Sequence, residues 1–409
     1  MKKNKKLFSA VFRMIIIAAV FALSSPAAAD GQTLPWPQGC LELDNLPTRP
    51  DQKILICAPP NFNGTLIMYA HGYVPPQEEL ALPMDELEGF IDPLIFLLSQ
   101  GFAFATTSYS KNGYAVEPAG EDLRDLAGYF EGLNAPEETE TILLIGASEG
   151  ASVIQMLIEK YPEEFDGGLA MCGPVAGMPF QINKIGDFFV IFDYLFPEVF
   201  DDRISLSDPD FSGDGYEYVQ TYWEEIPPPP EQPDPYKERI AEAIESRPLR
   251  TLRLFGITDT AFNWFDRNSF VDAAQLHLGR TVFGTQDMVE TASGMPFDNR
   301  YRWYDASWRW NRHVERVTAD GEALEYVTNF YEPTGDLHKP LVTMHNWNDP
   351  NVPFEHEELY AQMVYAKGNG ANLTVLPIPG FGHCNFKPWQ VLGAFFLLLD
   401  KVDDGVEAD

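Results

Sequence analysis

The chain has 409 residues, 45% of them hydrophobic and 13% aromatic. That is enough to bury a large core as one big domain or two moderate ones, and it excludes a disordered chain. Acidic residues outnumber basic ones 61 to 28, a formal charge of −33. So negative a surface repels phosphates and argues against nucleic acid as a partner. Solubility explains it most simply, and salty surroundings would relieve the self-repulsion by screening.

Lys2, Lys3, Lys5, Lys6 and Arg13 precede the apolar run Met14 to Leu23, and Pro26-Ala27-Ala28-Ala29-Asp30 follows. A basic segment, a short greasy segment and a small-residue cleavage site have the layout of a secretory signal peptide over residues 1–29. The greasy run is too short to span a bilayer comfortably, which leaves an uncleaved membrane anchor as the lesser alternative, and no cysteine near the cut marks a lipoprotein. The expected location is secreted or periplasmic, with no stable membrane insertion after cleavage. Cleavage would remove five positive charges and no negative one, leaving about −38.

Past Asp30, short apolar runs alternate with helical patterns. The predicted strands are Lys53 to Cys57, Thr65 to Ala70, Phe102 to Thr107, Thr141 to Ile145, Gly168 to Cys172, Pro340 to His345 and Leu373 to Ile378. Several are continuously apolar, as strands buried on both faces of a parallel sheet are. Gly120 to Leu133 places Leu123, Leu126, Tyr129 and Phe130 on one helical face; Ala151 to Tyr161, Phe354 to Ala366 and Trp389 to Leu399 also read as helices. The alternation predicts an α/β fold, a mostly parallel sheet with helices on both faces.

That alternation stops between roughly Gly177 and Asp336, where five of the eight tryptophans lie: Trp223, Trp264, Trp303, Trp308 and Trp310. The stretch is too long and too aromatic for a loop, so a mainly helical inserted cap is expected over 178–335, with the core formed by 30–177 and 336–409. Within it, Tyr222 to Ile226 leads into a run of four prolines and reads as an exposed extended linker. Asp208 to Asp214 carries oxygens at alternating positions, like a calcium loop. The twelfth position from Asp208 is Val219, where a bidentate Glu belongs, so a polar turn is expected.

Four cysteines remain, Cys40, Cys57, Cys172 and Cys384, open to three pairings or to free buried thiols. Pairing Cys40 with Cys57 would close a short loop and leave Cys172 with Cys384.

Gly146-Ala147-Ser148-Glu149-Gly150 follows a strand and precedes a helix. A sharp strand-to-helix turn strains the backbone at the serine, and glycines two residues away relieve the crowding. The hydroxyl then projects above the sheet, where the helix N-terminus favours developing negative charge. Ser148 is the expected nucleophile.

In these residues the chain resembles the α/β-hydrolase superfamily, as a secreted serine esterase with a large inserted cap. Members place a His-Gly-x turn after an early strand, matched by His71-Gly72-Tyr73. The resemblance implies an oxyanion hole from the backbone N–H groups of Tyr73 and Glu149, with His71 structural. It also implies an acid after a later strand. Asp349, in Asp349-Pro350-Asn351-Val352-Pro353, is similar to that loop and would orient one imidazole tautomer. His383, in Pro379-Gly380-Phe381-Gly382-His383-Cys384, follows the last strand and would be the general base. His277, His313, His345 and His356 lack this placement and read as structural. Some tannase and feruloyl esterase relatives join cysteines beside the serine and the histidine. Here Ala147 stands at the first position, and Cys172 could clamp the histidine loop instead.

The implied activity is hydrolysis of carboxylic esters through an acyl-enzyme on Ser148, falling on the acid side of neutrality as His383 is protonated. The alternatives are a serine peptidase or amidase of the same fold, and a non-catalytic binding protein. No metal or organic cofactor is implied. The partner is a small-molecule or polymeric ester, with the pocket lined by Ser108 to Tyr114, Met171 to Pro179 or the aromatic cluster Tyr301 to Tyr304.

Overall fold

A computed structural model describes residues 40–47, 51–133, 139–208, 214–224 and 234–406. The expected signal peptide, the proline run and most of the Asp208–Asp214 loop therefore lie outside the described residues.

Eight strands make one sheet: β1 (Cys40–Leu43), β2 (Ile54–Cys57), β3 (Thr65–Ala70), β4 (Ala103–Thr107), β5 (Thr141–Ala147), β6 (Gly167–Met171), β7 (Leu341–Asn348) and β8 (Leu373–Phe381). Their order across the sheet is β1-β2-β4-β3-β5-β6-β7-β8. Strands β3 to β8 pair in parallel, and β1 and β2 are antiparallel additions at one edge. Each parallel step needs a crossover, and right-handed crossovers put helices on both faces. These are α1 (Met84–Glu88), α2 (Ile91–Ser99), α3 (Val116–Gly132) and α4 (Glu149–Lys160), and, after a long excursion, α12 (Glu355–Lys367) and α13 (Pro388–Val406).

Strand alternation divides the core. On β3, Leu66, Met68 and Ala70 join Leu123 and Leu126 of α3 and Ile154 and Leu157 of α4 on one face. Ile67 and Tyr69 face the other way, into Leu94, Leu97 and Leu98 of α2 and Phe395 and Leu398 of α13. Both sides of β3 and β5 are buried, which is why their sequences read as unbroken apolar runs. This is the α/β architecture that the hydrolase resemblance implies.

Between β6 and β7 the chain runs through α5 (Met178–Leu195), α6 (Asp214–Thr221), α7 (Tyr236–Ser246), α8 (Pro248–Thr258), α9 (Asn268–Ala292), α10 (Trp308–His313) and α11 (Gly321–Tyr331). α5 is apolar nearly all round, with Phe188, Phe189, Val190, Ile191 and Phe192 buried against α8 and α9. α11 packs on α3 and α4 and so joins this layer to the sheet's own helices. The expected linker at Tyr222 to Ile226 is different where described: Trp223 is buried, its ring edge-on to Phe283 of α9. An indole removed from water is worth more than an extended exposed segment could offer.

Of the pairings the sequence leaves open, Cys40–Cys57 with Cys172–Cys384 is the one that forms. Cys40–Cys57 joins β1 to β2 at directly opposed residues, and Cys172–Cys384 joins the end of β6 to the loop after β8. No helix among the described residues is long and apolar enough to cross a membrane.

Candidate active site

Because β5, β7 and β8 run parallel, their carboxyl ends open on one edge of the sheet, where ligands of α/β proteins bind. Ser148 sits at the junction of β5 and α4 with φ 52° and ψ −122°, outside the favoured regions for a residue with a Cβ. Such backbone costs on the order of 1–3 kcal/mol and persists because its surroundings over-determine it. The Ser148 N–H donates to the Met171 carbonyl (2.9 Å) and its own carbonyl accepts from Ala151 N–H (3.0 Å). A Cβ at Gly146 would collide with the Gly150 backbone, and one at Gly150 with the carbonyls of Ala70 and His71. The two glycines therefore serve close approach between β5, α4 and the turn after β3.

A continuous hydrogen-bonded chain runs away from the hydroxyl. Ser148 Oγ lies 2.9 Å from His383 Nε2, and His383 Nδ1 lies 2.7 Å from Asp349 Oδ2. The other oxygen, Asp349 Oδ1, accepts from the N–H groups of Asn351 (2.8 Å) and Val352 (3.0 Å). Burial alone would raise the Asp349 pKa. Electrostatic attraction to the His383 ring and the hydrogen bonds from His345 and His383 outweigh it and hold the carboxyl at about 2. An ionised Asp349 can only accept, so His383 carries its proton on Nδ1 and presents the Nε2 lone pair to the serine hydroxyl.

The His383 loop is tied down on several sides. Gly382 N–H donates to the Asn348 carbonyl (3.1 Å), and Asn346 and Asn385 exchange two hydrogen bonds (2.9 and 3.2 Å). The Cys172–Cys384 disulfide adds a covalent link one residue from the imidazole. His383 keeps 22% of its side-chain surface exposed, whereas Asp349 keeps none.

Behind Asp349 stand His345, which the sequence marks only as a structural histidine, and Glu357, which it does not mark at all. The wholly buried His345 places Nδ1 3.1 Å from Glu357 Oε1 and donates from Nε2 to the Val352 carbonyl (2.8 Å), with Asp349 Oδ2 3.5 Å away. Burial works to lower its pKa, but the hydrogen bonds and charges of Asp349 and Glu357 prevail and push it up to about 10. The acid thus has the His345 imidazolium on one side and the His383 ring on the other. His356 and His277 are buried and held neutral by desolvation, His277 with a pKa down to about 4.

Around the first turn, His71 is buried, stacked on Tyr109 (ring centroids 3.8 Å apart), with a pKa lowered by desolvation. Glu86 accepts hydrogen bonds from Tyr69 Oη (2.6 Å) and Gly72 N–H (3.1 Å), bracing the turn that carries Tyr73. Among the described residues the backbone N–H groups of Tyr73 and Glu149 have no hydrogen-bond partner. Burial pushes the Glu149 side chain up to about 7.

A hollow of about 340 Å³ is bordered by Ser148, His383, Tyr73, Cys172 and Arg280, and a narrow cleft of about 30 Å³ continues from Ser148 toward Tyr114 and Met178. A larger groove of about 650 Å³ contains neither Ser148 nor His383, but Tyr73 and Arg280 border it as well. Of the expected lining, Tyr114, Met171, Cys172, Pro174 and Met178 border the cavities at Ser148. The Tyr301 to Tyr304 cluster does not: Tyr301 and Trp303 face solvent, Arg302 pairs with Asp187, and buried Tyr304 donates to Asp187 (2.7 Å).

No protein-family model and no curated protein sequence matches the chain. Solved structures do resemble it. Feruloyl esterase B from Aspergillus oryzae is 14% identical over 82% of this chain and 72% of that one, with a TM-score of 0.44. An esterase of Pyrococcus furiosus is 14% identical over 91% of this chain and 95% of that one, with a TM-score of 0.43. An acylaminoacyl peptidase is 10% identical over 88% of this chain with a TM-score of 0.43, and the chain spans only 40% of that protein.

Proposed function

We propose that the protein is a secreted serine hydrolase that cleaves carboxylic esters. The observation that carries the reading is the unbroken hydrogen-bonded chain from Ser148 Oγ through His383 to Asp349. Ser148 Oγ attacks the ester carbonyl carbon while its proton passes to His383 Nε2. Asp349 stabilises the resulting imidazolium, and the N–H groups of Tyr73 and Glu149 receive the oxyanion. The C–O bond then breaks, the leaving alkoxide takes the proton from His383, and the acyl group stays on Ser148. Water, deprotonated by His383, attacks the acyl-enzyme; the acid departs and the proton returns to Ser148.

In this reading residues 178–335 form a cap over a hydrolase core of 30–177 and 336–409. Two disulfides suit an oxidising compartment, and residues 1–29 would be the signal peptide that delivers the chain there.

A fluorophosphonate probe, followed by peptide mapping, should modify Ser148. Ser148→Ala should lose hydrolysis of short p-nitrophenyl esters while keeping its folded spectrum. Label on another residue, or unchanged turnover in Ser148→Ala, would put the chemistry elsewhere. Faster turnover of aminoacyl anilides than of esters would make the protein a peptidase.

A further inference from the structure

Of the residues bordering the hollow above Ser148 and His383, Arg280 alone carries a positive charge. It projects from α9, which is fixed across the site at both ends. His277, three residues earlier, bonds the Pro350 carbonyl through Nε2 (2.8 Å). Asp287, seven residues later, accepts from Tyr114 N–H (2.8 Å) and pairs with Lys111 (2.7 Å). The half-buried guanidinium lies over the Tyr73 ring, 3.9 Å from its centroid. Among the described residues it makes no hydrogen bond and no ion pair.

An unspent guanidinium is unusual in a chain with 61 acidic residues, and the acids around it explain why it stays unspent. Glu86 is engaged by Tyr69 and Gly72, Asp287 by Lys111 and Tyr114, and Glu149 lies beneath, bonded to Ala115 N–H (3.1 Å). Stacking on Tyr73 holds the plane of the fork without using its N–H donors.

We infer that Arg280 is a specificity determinant that binds a carboxylate on the substrate, so that the preferred ester carries a free carboxylate near the scissile bond. The inference rests on the serine-hydrolase reading and adds the substrate class. Two parallel N–H···O bonds from a planar guanidinium match a carboxylate in geometry and charge, and an ammonium-bearing substrate would be repelled. Glu86, the acid in the same hollow, is engaged by Tyr69 and Gly72.

The test compares shape-matched pairs in the full chain. On the acyl side the pair is monoethyl succinate against ethyl 4-methylpentanoate; on the alcohol side it is O-acetylglycolate against isobutyl acetate. In at least one pair the anionic ester should have the higher kcat/KM. Arg280→Gln should lower that anionic-to-neutral ratio by about 10- to 100-fold, the range for one charge-assisted contact, and Arg280→Lys should keep part of it. Ratios that both variants leave within twofold of wild type, or a preference for the neutral ester in both pairs, would overturn the anion subsite and leave the hydrolase reading standing. A wild-type chain that hydrolyses none of the four esters and takes no fluorophosphonate label would overturn both.

Discussion

Glu149 provides a test in which stability reports on the electrostatics beneath the site. Its residue is 5% exposed, and one carboxylate oxygen accepts from Ala115 N–H at 3.1 Å. Desolvation lifts its pKa from 4.5 to about 7, opposed only in part by the Ala115 bond and by Arg280 and Lys111. A raised folded-state pKa means that the folded chain keeps a proton the unfolded chain releases between about pH 4.5 and 7. Stability therefore falls through that window and levels off above it. At 1.36 kcal/mol per unit the full penalty is about 3 kcal/mol. Glu149→Gln keeps the shape and the accepting oxygen but carries no charge. At pH 8 it should be more stable than wild type by about 3 kcal/mol, near 4 °C in Tm for a chain of this size. At pH 4, where both states of the wild type hold the proton, the advantage should vanish. Calorimetric melts at the two pH values, with urea midpoints beside them, would check this. An advantage equal at both pH values, or absent at pH 8, would refute desolvation as the source of the shift.

Asp349→Asn should lower kcat by about 10⁴-fold, because a neutral amide no longer selects the His383 tautomer or stabilises the imidazolium; steady-state rates on a p-nitrophenyl ester would show it. In the wild type the depressed pKa of Asp349 contributes stability above about pH 4 that is lost as pH falls through about 2, so the variant's acid-unfolding curve should be flatter in that range. Replacing Cys172 and Cys384 together by Ser releases a loop closed across 212 residues, so stability should drop by up to about 5 kcal/mol, measured by urea titration. The same variant should lose kcat/KM even where it is fully folded, since one of the ties on the His383 loop is gone; an unchanged kcat/KM would mean that the Asn346–Asn385 and Gly382–Asn348 bonds suffice.

How much of the fold could be read in advance depended on burial. β3 lies where the unbroken apolar run of Thr65 to Ala70 predicts it, because both its faces are covered. β8 runs beyond Ile378 to Phe381 because its ladder with β7 continues past an irregularity near Asn348, which an apolar run ending in prolines does not announce. β1 escaped notice for the opposite reason. Its four residues are half-exposed, and pairing with β2 and the Cys40–Cys57 link define it, both of them long-range facts. α2 has no sequence signature because Ile91 to Ser99 is nearly all apolar, with Pro93 in its first turn, so no polar face marks its period, and the five residues of α1 are too few to show one.

The same division separates the parts of the site. Ser148 was legible because one tight turn makes a local demand: a strained residue flanked by positions where any Cβ would strike backbone. The loops of Asp349 and His383 were legible because each follows a strand of the parallel sheet, and parallel strands bring their ends to a common edge. Arg280 and Glu357 had no such signal, since a charged residue on a helix is ordinarily a solvated one. Glu357 matters because α12, packed on β8, holds it buried against His345 and Thr343 of β7. Arg280 matters because α9 is steered over the sheet edge by the His277–Pro350 and Asp287–Tyr114 contacts, and those are pairings that no periodicity within α9 encodes. The chemistry that needs only a turn is written in a few adjacent letters, whereas the groups that tune charge and choose a substrate arrive by packing, and only the assembled helices say where they point.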